Sequence, residues 1–458
     1  MTLLEFTTPD WVRDAIFYQI FPERFFNGDA ENDPIGVRPW GERPQSRSFF
    51  GGDLVGIVKK LDYLQTLGVN ALYLTPIFVS PSNHKYDTED YFTVDSAFGG
   101  NDALLKLISA LHARDMHIVL DGVFNHCGKT HPFFQDVVEQ GPSSPYWDWF
   151  TISGEQVVCE PQPNYVCWAG VSSMPEWNHR NPDVCEYLFS VVRHWIRAYK
   201  IDGWRLDTTE YLPPNFVRSI RRVAKEENPD AYVLGEVMGL ATSWFKHDAV
   251  DGVMHYKLWE GLVSFFAKGE WDAQQFINHV NGIWKSYPEE ANHTSYTLLG
   301  SHDKSRFLTL CRGDHRKFLL AAAFLFTFPG VPAIYYGDEI GMTGEEDPDC
   351  RRTFLWKEEE QDRNIFSIVK NLIKLRKERI ALRRGKFVFV QAKDTILTYL
   401  RQLGKEKIVI VINAGNESVS VKLPAPISGD FYDLCLQEKI SSPVEVAAVD
   451  FRILRCRE

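Results

Sequence analysis

Charged side chains that could carry out chemistry follow short apolar runs at several separate places in this 458-residue chain. In Gly203-Trp204-Arg205-Leu206-Asp207, an arginine stands two residues before an aspartate. On a strand, where side chains alternate, both would point to the same side. An arginine keeps a neighbouring carboxylate ionised and oriented, and such a carboxylate can act as a nucleophile. Taken alone, however, the pentapeptide favours a structural ion pair at a strand end.

Further carboxylates and histidines recur at the ends of other predicted strands. They are Asp121, with Asn125 and His126, after the third strand, Glu236 at the fifth, and His302 with Asp303 at the seventh. Four carboxylates at matching strand ends are difficult to explain as core residues, because uncompensated buried charge is costly. The repeated placement therefore predicts one shared functional site.

The elements that must position these residues alternate between strand and helix about eight times, from Asp14 to Glu378. This alternation indicates parallel strands with crossover helices, and eight repeats predict a closed (β/α)8 TIM barrel. An open, doubly wound sheet is the alternative. In a barrel all strands end on one face, so the charged residues would converge there.

The predicted barrel domain comprises residues 1–126 and 181–382. The remaining residues predict two further domains. Residues 127–180 are rich in Gly, Pro and Trp, have little periodicity and are too numerous for a plain loop, so they predict a small inserted domain after the third strand. Residues 383–458 alternate apolar and polar positions between turns such as Gly415-Asn416. They predict a C-terminal all-β sandwich.

Composition narrows the partners and the cellular compartment. A net charge of −11 argues against nucleic acid as the main partner. No apolar stretch is long enough to span a membrane, and residues 1–10 lack the basic start and apolar run of a signal peptide. Eight cysteines without paired metal-ligand spacing indicate reduced thiols and predict a cytoplasmic protein. The 14% aromatic content suits sugar binding, but composition alone favours an aromatic-packed core.

Clustered carboxylates push one another's pKa values apart. Asp207 should stay ionised beside Arg205, whereas Glu236 is expected to have no adjacent cation, to sit beside other negative charges and so to have a raised pKa. An ionised carboxylate and a protonated acid that flank a bond form a glycosidase pair. A separation of roughly 5–5.5 Å between them would indicate a retaining mechanism.

Four segments resemble the signature regions of the α-amylase family of glycoside hydrolases. They are Asp121-Gly122-Val123-Phe124-Asn125-His126, Gly203 to Asp207, Gly235-Glu236-Val237 and Ser301-His302-Asp303. A fifth, Met174-Pro175-Glu176-Trp177-Asn178, is similar to a motif of the cyclomaltodextrinase, neopullulanase and maltogenic amylase group. The same group is indicated by the stretches Tyr18 to Phe25, Asn83 to Asp87 and Asp347 to Arg352.

The resemblance implies a role for each matching residue. Asp207 would be the nucleophile, Glu236 the general acid and base, and Asp303 the group that holds sugar hydroxyls at the cleaved bond. Arg205 would orient Asp207, while Asp121, His126 and His302 would bind the same sugar, Tyr86 would stack on it, and Asp349 with Arg352 would contact the next sugars. Core packing is the alternative for Tyr86 and for the two histidines.

A loop near the amino terminus could hold a metal ion. Its oxygen donors are Asn27, Asp29, Asn32 and Asp33, followed by Gly51 and Asp53. Hard oxygen ligands suit Ca²⁺, although an ordinary Asx-rich turn has the same composition. Similar residues bind calcium in the cyclomaltodextrinase group, so the resemblance implies a structural calcium ion.

The resemblance implies a retaining hydrolase of α-glucosidic bonds in maltooligosaccharides, cyclodextrins and pullulan. Thr208-Thr209-Glu210-Tyr211 departs from the group's usual sequence after the nucleophile, which leaves the acceptor preference open. The group's front β domain, used in its dimers, has no counterpart before the barrel, so a homodimer is also left open. The alternatives are a debranching enzyme for α-1,6 bonds, a transglycosylase or isomerase, and a non-catalytic carbohydrate-binding protein.

Overall fold

The structure, a computed structural model, describes residues 6–424, 427 and 429–456. Its centre is a closed barrel of parallel strands in which each strand pairs with the next along the chain. The strands are β1 (Phe17–Ile20), β2 (Ala71–Leu74), β3 (His117–Gly122), β4 (Gly203–Leu206), β5 (Tyr232–Val237), β6 (Gly252–His255), β7 (Tyr296–Leu298) and β8 (Val331–Tyr335). Because β8 also pairs with β1, the predicted TIM barrel is confirmed and the open sheet is wrong.

Side chains on the barrel strands alternate between two apolar cores. On β1, Phe17 belongs to the cluster that fills the lumen, whereas Tyr18 packs towards the surrounding helices. Val119 on β3 and Leu234 on β5 also belong to the lumen cluster. The period of two then carries residues two positions later, at the carboxyl ends of the strands, to the same inner side.

Amphipathic helices cover the outside of the barrel. The main ones are Leu54–Lys59, Leu61–Leu67, Gly100–His112, Pro182–His194, Pro214–Glu227, Tyr256–Leu262, Ala273–Ser286, His315–Thr327, Arg363–Glu378 and Ile380–Arg384. Shorter ones are Pro22–Phe25, Thr242–Lys246, Glu289–Thr294 and Phe307–Leu310. The Asn181 side chain caps the Pro182–His194 helix, as the Asn-Pro-Asp sequence predicts.

The segment between β3 and the helix Pro182–His194 contains one α-helix, Pro132–Gln140, three short 3-10 helices and several isolated bridges. One bridge joins His126 to Glu176, which ties the end of this segment to the residues that follow β3. The paired strands Phe78–Val79 and Asp90–Val94 lie after β2. The bridge between His126 and Glu176 therefore places residues 127–180 beside the carboxyl face of the barrel.

The C-terminal region is all-β, as predicted. Its strands are β9 (Lys386–Lys393), β10 (Ile396–Leu403), β11 (Glu406–Asn413), β12 (Val419–Val421), β13 (Asp430–Asp433), β14 (Glu438–Ser441), β15 (Val444–Val446) and β16 (Asp450–Cys456). Six of them form an antiparallel sheet, and β12 pairs with β15 in a second sheet. Val409 and Val411 from the first sheet and Val446 from the second share one apolar cluster.

All eight cysteines are free thiols. Three of them are buried, whereas Cys435 is exposed. Within the described ranges, the helices are too short or too polar to cross a lipid bilayer.

Candidate active site

The guanidinium of Arg205 contacts three carboxyl groups at the carboxyl end of the barrel. Its Nη1 lies 3.0 Å from Asp121 Oδ1 and 2.7 Å from Asp207 Oδ1, and its Nη2 lies 2.8 Å from Glu236 Oε1. The strand register places Asp121 directly beside Arg205. The arginine side chain has no exposed surface, so these contacts are made away from bulk water. The structure therefore brings residues from three strands to one cation.

Glu236 is surrounded differently from the expectation. The prediction that it lacks a neighbouring cation is wrong, because Arg205 comes from the adjacent strand and contacts it. Burial nevertheless raises the pKa of Glu236 to about 8; Arg205 opposes this shift, and the charges of Asp207 and Asp303 add to it. The backbone N–H of Thr208 donates to Glu236 Oε2 at 2.7 Å. Glu236 is thus the protonated acid at neutral pH.

Asp207 lies just beyond β4 and faces the same cavity. Its second oxygen, Oδ2, accepts from the Thr208 hydroxyl at 3.3 Å. Burial raises the pKa of Asp207, while the charge and hydrogen bond of Arg205 lower it. The predicted ionisation of Asp207 therefore depends on Arg205.

Asp121 is held from two further sides by tyrosine hydroxyls. Tyr73 donates to its Oδ2 at 2.6 Å and Tyr86 donates to the same oxygen at 3.1 Å. Burial raises the pKa of Asp121 to about 7 despite the opposing charge of Arg205. Asp121 thus helps to orient Arg205 and Tyr86 from behind the cavity wall.

Asp303 and His302 form a second group that faces Asp207. Asp303 follows β7 in a loop, where its Oδ2 lies 3.1 Å from His302 Nε2 and its Oδ1 accepts from Arg351 Nη2 at 3.2 Å. Burial raises the pKa of Asp303, but the adjacent His302 ring and the charge of Arg351 outweigh it and leave the pKa below its usual value. The Tyr86 ring stacks on the His302 ring, with centroids 5.5 Å apart.

His126 presents a ring nitrogen that no other described residue uses. The residue is buried, and its Nε2 has no hydrogen-bond partner within the part of the chain that the structure describes. Burial lowers the pKa of His126 to about 4, so the imidazole is neutral at physiological pH. A neutral, unpaired imidazole nitrogen at a cavity wall is suited to a sugar hydroxyl.

These groups line a cavity of about 460 Å³, a size that falls within the roughly 300–1,000 Å³ typical of small-molecule sites. Its walls contain five of the predicted site residues: Tyr86, His126, Asp207, Glu236 and Asp303. Asp121, Arg205 and His302 lie behind them and fix their positions. The cavity therefore has a polar floor of titratable groups.

Asp349 and Arg352 are arranged differently from their neighbours in the sequence. They pair with each other, at 2.7 Å between Arg352 Nη2 and Asp349 Oδ2, and Asp349 also accepts from Arg43. The cavity is instead lined by Asp347 and Arg351, which form a pair of their own at 3.1 Å. The sugar contacts of Asp349 and Arg352 stay a prediction, and Arg351 is the residue of this motif that reaches Asp303.

Several cavity residues were not predicted as site residues because loops carry no periodic signal. They are His84, Trp168, Met174, Met238 and Lys304. Of these, His84 and Met174 nevertheless lie within motifs that carried the family resemblance. Glu210 accepts from the backbone N–H groups of Met238 and Gly239 and so ties the loop after β4 to the loop after β5. Thr208, in the loop after β4, has a φ of 44°. This left-handed conformation is uncommon for a non-glycine residue, and such residues cluster at functional sites.

The amino-terminal loop partly fits a cation. The Asp53 carboxylate already accepts hydrogen bonds from the N–H groups of Gly28 and Asp29 and from the Asn32 amide. Asn32 Oδ1 is buried and has no partner among the described residues, and a Cβ at Gly51 would stand 2.1 Å from Asp33 Oδ1. The six predicted ligands are therefore close together, but Asp53 stabilises the loop through its hydrogen bonds.

That loop would rely on amide and carbonyl oxygens for much of a metal's coordination. In the described ranges, no three His, Cys, Asp or Glu side chains are grouped so that they could hold a metal ion. Asn27, Asp29, Asn32 and Asp33, with the Gly51 carbonyl, are the remaining oxygen donors. Such a donor set suits a hard cation of flexible coordination such as Ca²⁺.

Comparison with known proteins agrees with this geometry. The family described as the alpha amylase catalytic domain matches residues 19–359. A cyclomaltodextrinase of Geobacillus thermopakistaniensis is 45% identical over 448 residues, which cover 97% of this chain and 76% of that protein.

Two solved structures match the chain over nearly its whole length. A cyclic alpha-maltosyl-(1→6)-maltose hydrolase of Arthrobacter globiformis, at 37% identity, has a TM-score of 0.93 and covers 98% of this chain and 99% of its own. A debranching enzyme of Nostoc punctiforme, also at 37% identity, has a TM-score of 0.88 with the same coverage. The family that four short segments predicted is confirmed: the chain belongs to the alpha-amylase family and is a glycosidase that hydrolyses α-glucosidic bonds.

Proposed function

We propose that the chain is a retaining hydrolase of cyclic and linear α-glucans, with Asp207 as nucleophile and Glu236 as general acid and base. The observation that carries the proposal is that one guanidinium contacts both carboxyl groups. A shared cation keeps the two groups close together, as a retaining pair requires. Their unequal surroundings, with Glu236 protonated near neutral pH, supply one acid and one nucleophile.

In the first step the proton of Glu236 passes to the glycosidic oxygen as that oxygen leaves the anomeric carbon. Asp207 Oδ2, the oxygen not bound to Arg205, attacks the anomeric carbon and forms a β-glucosyl ester. Glu236 is now an anion, and its contact with Arg205 stabilises it. In the second step Glu236 takes a proton from water, whose oxygen displaces Asp207 and gives a product with retained α configuration.

The remaining polar groups hold the sugar at the cleaved bond. Asp303, kept ionised by Arg351 and His302, accepts hydrogen bonds from ring hydroxyls. His126 offers an unpaired ring nitrogen and Tyr86 offers its ring face to the same sugar. Hydrogen bonds to sugar hydroxyls that strengthen in the transition state contribute several kcal/mol, roughly, to glycosidase catalysis.

The product profile tests this proposal. The purified protein would receive γ-cyclodextrin, pullulan and a maltosyl-branched cyclodextrin in parallel, with products separated by chromatography and the anomeric configuration followed by NMR. Ring opening to maltose and glucose, panose from pullulan and α products first are expected. Release of β products first would overturn the retaining mechanism.

A second candidate is hydrolysis of α-1,6 bonds. It is supported by two solved structures of the same length, whose names are those of a cyclic alpha-maltosyl-(1→6)-maltose hydrolase and a debranching enzyme. It is also supported by the acceptor side of the cavity, where Thr208, Glu210 and Tyr211 line the wall. Maltotriose from pullulan, or intact side chains from the branched cyclodextrin, would select this candidate. Transfer products at high substrate concentration would instead indicate a transglycosylase or isomerase.

We also propose that the amino-terminal loop binds Ca²⁺ through Asn27, Asp29, Asn32, Asp33 and the Gly51 carbonyl. Its role would be structural, since Asp53 clamps the same loop to the helix Leu54–Lys59 by accepting from Gly56 N–H. Calorimetric titration of the chelator-treated protein with Ca²⁺ should show one site and a raised melting temperature. Asn32→Leu should abolish binding, because it removes the buried oxygen. Unchanged melting with and without Ca²⁺ would contradict the proposal.

A cytoplasmic location is proposed from the eight free thiols, since such thiols persist in reducing compartments. Cell fractionation with an antibody to the protein tests it. A homodimer stays a prediction, and light scattering during size-exclusion chromatography, which gives the mass directly, would test it.

A further inference from the structure

Gln19 is a buried amide at the top of the barrel lumen that the proposed reaction does not use. It lies on β1, two residues after the lumen residue Phe17, and has no exposed surface. The strand register places it between Tyr73 and Tyr335. Its Nε2 lies 2.7 Å from Nδ1 of His302. A polar side chain in this apolar layer calls for a reason beyond packing, since burying an amide is costly.

The two nitrogens of His302 have partners of opposite kinds. Nε2 lies 3.1 Å from Asp303 Oδ2, and the negative charge of that carboxylate favours a proton on the nitrogen that faces it. Nε2 must therefore carry the proton, which leaves a lone pair on Nδ1. The amide N–H of Gln19 is the donor that this lone pair requires. The contacts on the two sides of the ring thus specify the same tautomer.

The tautomer sets the direction of the hydrogen bonds beyond the ring. The Tyr86 hydroxyl lies 2.5 Å from His302 Nε2 and 3.1 Å from Asp121 Oδ2. Because the protonated Nε2 offers no lone pair to the Tyr86 hydroxyl, the single Tyr86 proton is free to donate to Asp121. Asp121 in turn binds Arg205, the cation shared by the two catalytic carboxyl groups.

We propose that Gln19 is a positioning residue that fixes the Nε2–H tautomer of His302, and through it the orientation of Asp303, Tyr86 and the Asp121–Arg205 pair. Gln19 touches neither the cavity nor the reacting atoms, so its effect passes through His302. Burial, which lowers the pKa of His302 to about 3, keeps the ring neutral and makes the choice of tautomer meaningful. The proposal rests on the sugar-binding role given above to Asp303.

Two substitutions of similar size test the proposal, one by removing the donor and the other by replacing it with an acceptor. Gln19→Met removes the donor, and we expect kcat to fall about tenfold. Gln19→Glu replaces the donor by an acceptor and pulls a proton onto Nδ1, and we expect kcat to fall about a hundredfold with KM changed less than about threefold. Tyr296→Phe is the matched control, since the Tyr296 hydroxyl is buried in the same lumen and has no partner among the described residues. Its kcat should equal that of the unsubstituted protein.

The decisive readout is the tautomer itself, measured without substrate. With ¹⁵N-labelled histidine, the His302 signals are assigned by their loss in His302→Asn among the 13 histidines. Nδ1 should show the shift of an unprotonated nitrogen in the unsubstituted protein and of a protonated one in Gln19→Glu. A proton on Nδ1 in the unsubstituted protein would overturn the proposal, as would kcat within twofold of normal in both variants. Because this readout needs no turnover, it separates failure of the tautomer from failure of the proposed reaction.

Discussion

Two regions of the molecule bury arginines completely, and they satisfy them with different partners. In the active site Arg205 is bound by the carboxylates of Asp121, Asp207 and Glu236. At the junction between the barrel and the C-terminal sheet, Arg376 and Arg401 donate to backbone carbonyls. All three residues have no exposed surface. Of these three arginines, Arg205 is held among charged groups, whereas Arg376 and Arg401 are held by neutral carbonyls.

The junction arginines gather at the carboxyl end of the helix His315–Thr327. Arg376 donates to the carbonyls of Phe326 and Phe328, each at 2.9 Å, and Arg401 donates to that of Thr327 at 2.6 Å. The end of a helix carries partial negative charge and carbonyls that lack partners within the helix. Arg376 on the barrel side and Arg401 on β10 thus join the two domains through one helix end.

The pKa values show what the choice of partner does. Burial lowers the pKa of Arg376 to about 9, because carbonyl dipoles compensate the charge only in part. Burial also disfavours the charge of Arg205, but the charges of Asp121 and Glu236 outweigh that effect and raise its pKa. At the junction, backbone carbonyls bind the arginines and hold the two domains together without adding acidic groups. In the active site, the carboxyl groups around Arg205 are themselves able to react.

The largest expected effect comes from the nucleophile. Asp207→Asn should lower kcat by about 10⁴-fold or more, because the amide cannot form the glucosyl ester. The free energy of unfolding should change far less, and initial rates together with calorimetry measure both.

Asp251→Asn is the control for that substitution. Asp251 is equally buried, but it binds Arg221 and Lys225 at the opposite end of the barrel. Its loss should destabilise the fold by about 3 kcal/mol and leave kcat unchanged. Retained turnover in Asp207→Asn would contradict the distinction between Asp207 as a catalytic aspartate and Asp251 as a structural one.

The same substitution at both arginine sites sharpens the comparison. Arg205→Lys should lower kcat about 10²- to 10³-fold, since an ammonium cannot present the planar donors that bind three carboxylates. Arg401→Lys should leave kcat intact and lower the free energy of unfolding by about 2 kcal/mol, through one lost carbonyl contact. Rates and denaturant titrations distinguish them, and similar losses of activity in both variants would contradict the comparison.

The pH dependence follows from Glu236. With a pKa of about 8 it is protonated below that pH, so kcat/KM should fall about tenfold per unit as the pH rises above 8. The folded protein keeps this proton between the ordinary value of 4.5 and about 8, while the unfolded chain releases it. The contribution of Glu236 to stability therefore decreases as the pH rises through that window.

Asp303→Asn gives the control for the pH profile. The charge of Asp303 raises the pKa of Glu236, so its removal should move the alkaline limb to lower pH in whatever activity remains. A limb that stays in place would assign it to another group.

The smallest expected effect is at the junction. The Tyr399 and Thr327 hydroxyls lie 2.5 Å apart, and both residues are buried. Tyr399→Phe should reduce the free energy of unfolding by about 1 kcal/mol without changing the rate. A change in kcat would show that the junction is coupled to the active site.

Much of the fold could be predicted because it depends on local pattern. Alternating strands and helices predicted the closed barrel, and the two-residue spacing of Arg205 and Asp207 predicted that both face one side. The contact between Arg205 and Glu236 could not be predicted, because it joins neighbouring strands. Lys304 and Trp168 reach the cavity from loops, where no periodic signal exists.

The sequence by itself determined which residues could react and the strand ends at which they stand, since composition and periodicity are written along the chain. Tertiary structure alone decided which of them share Arg205, which tautomer His302 adopts and how far each pKa moves. These properties depend on distances and burial between segments far apart in sequence, and electrostatic energies vary steeply with both.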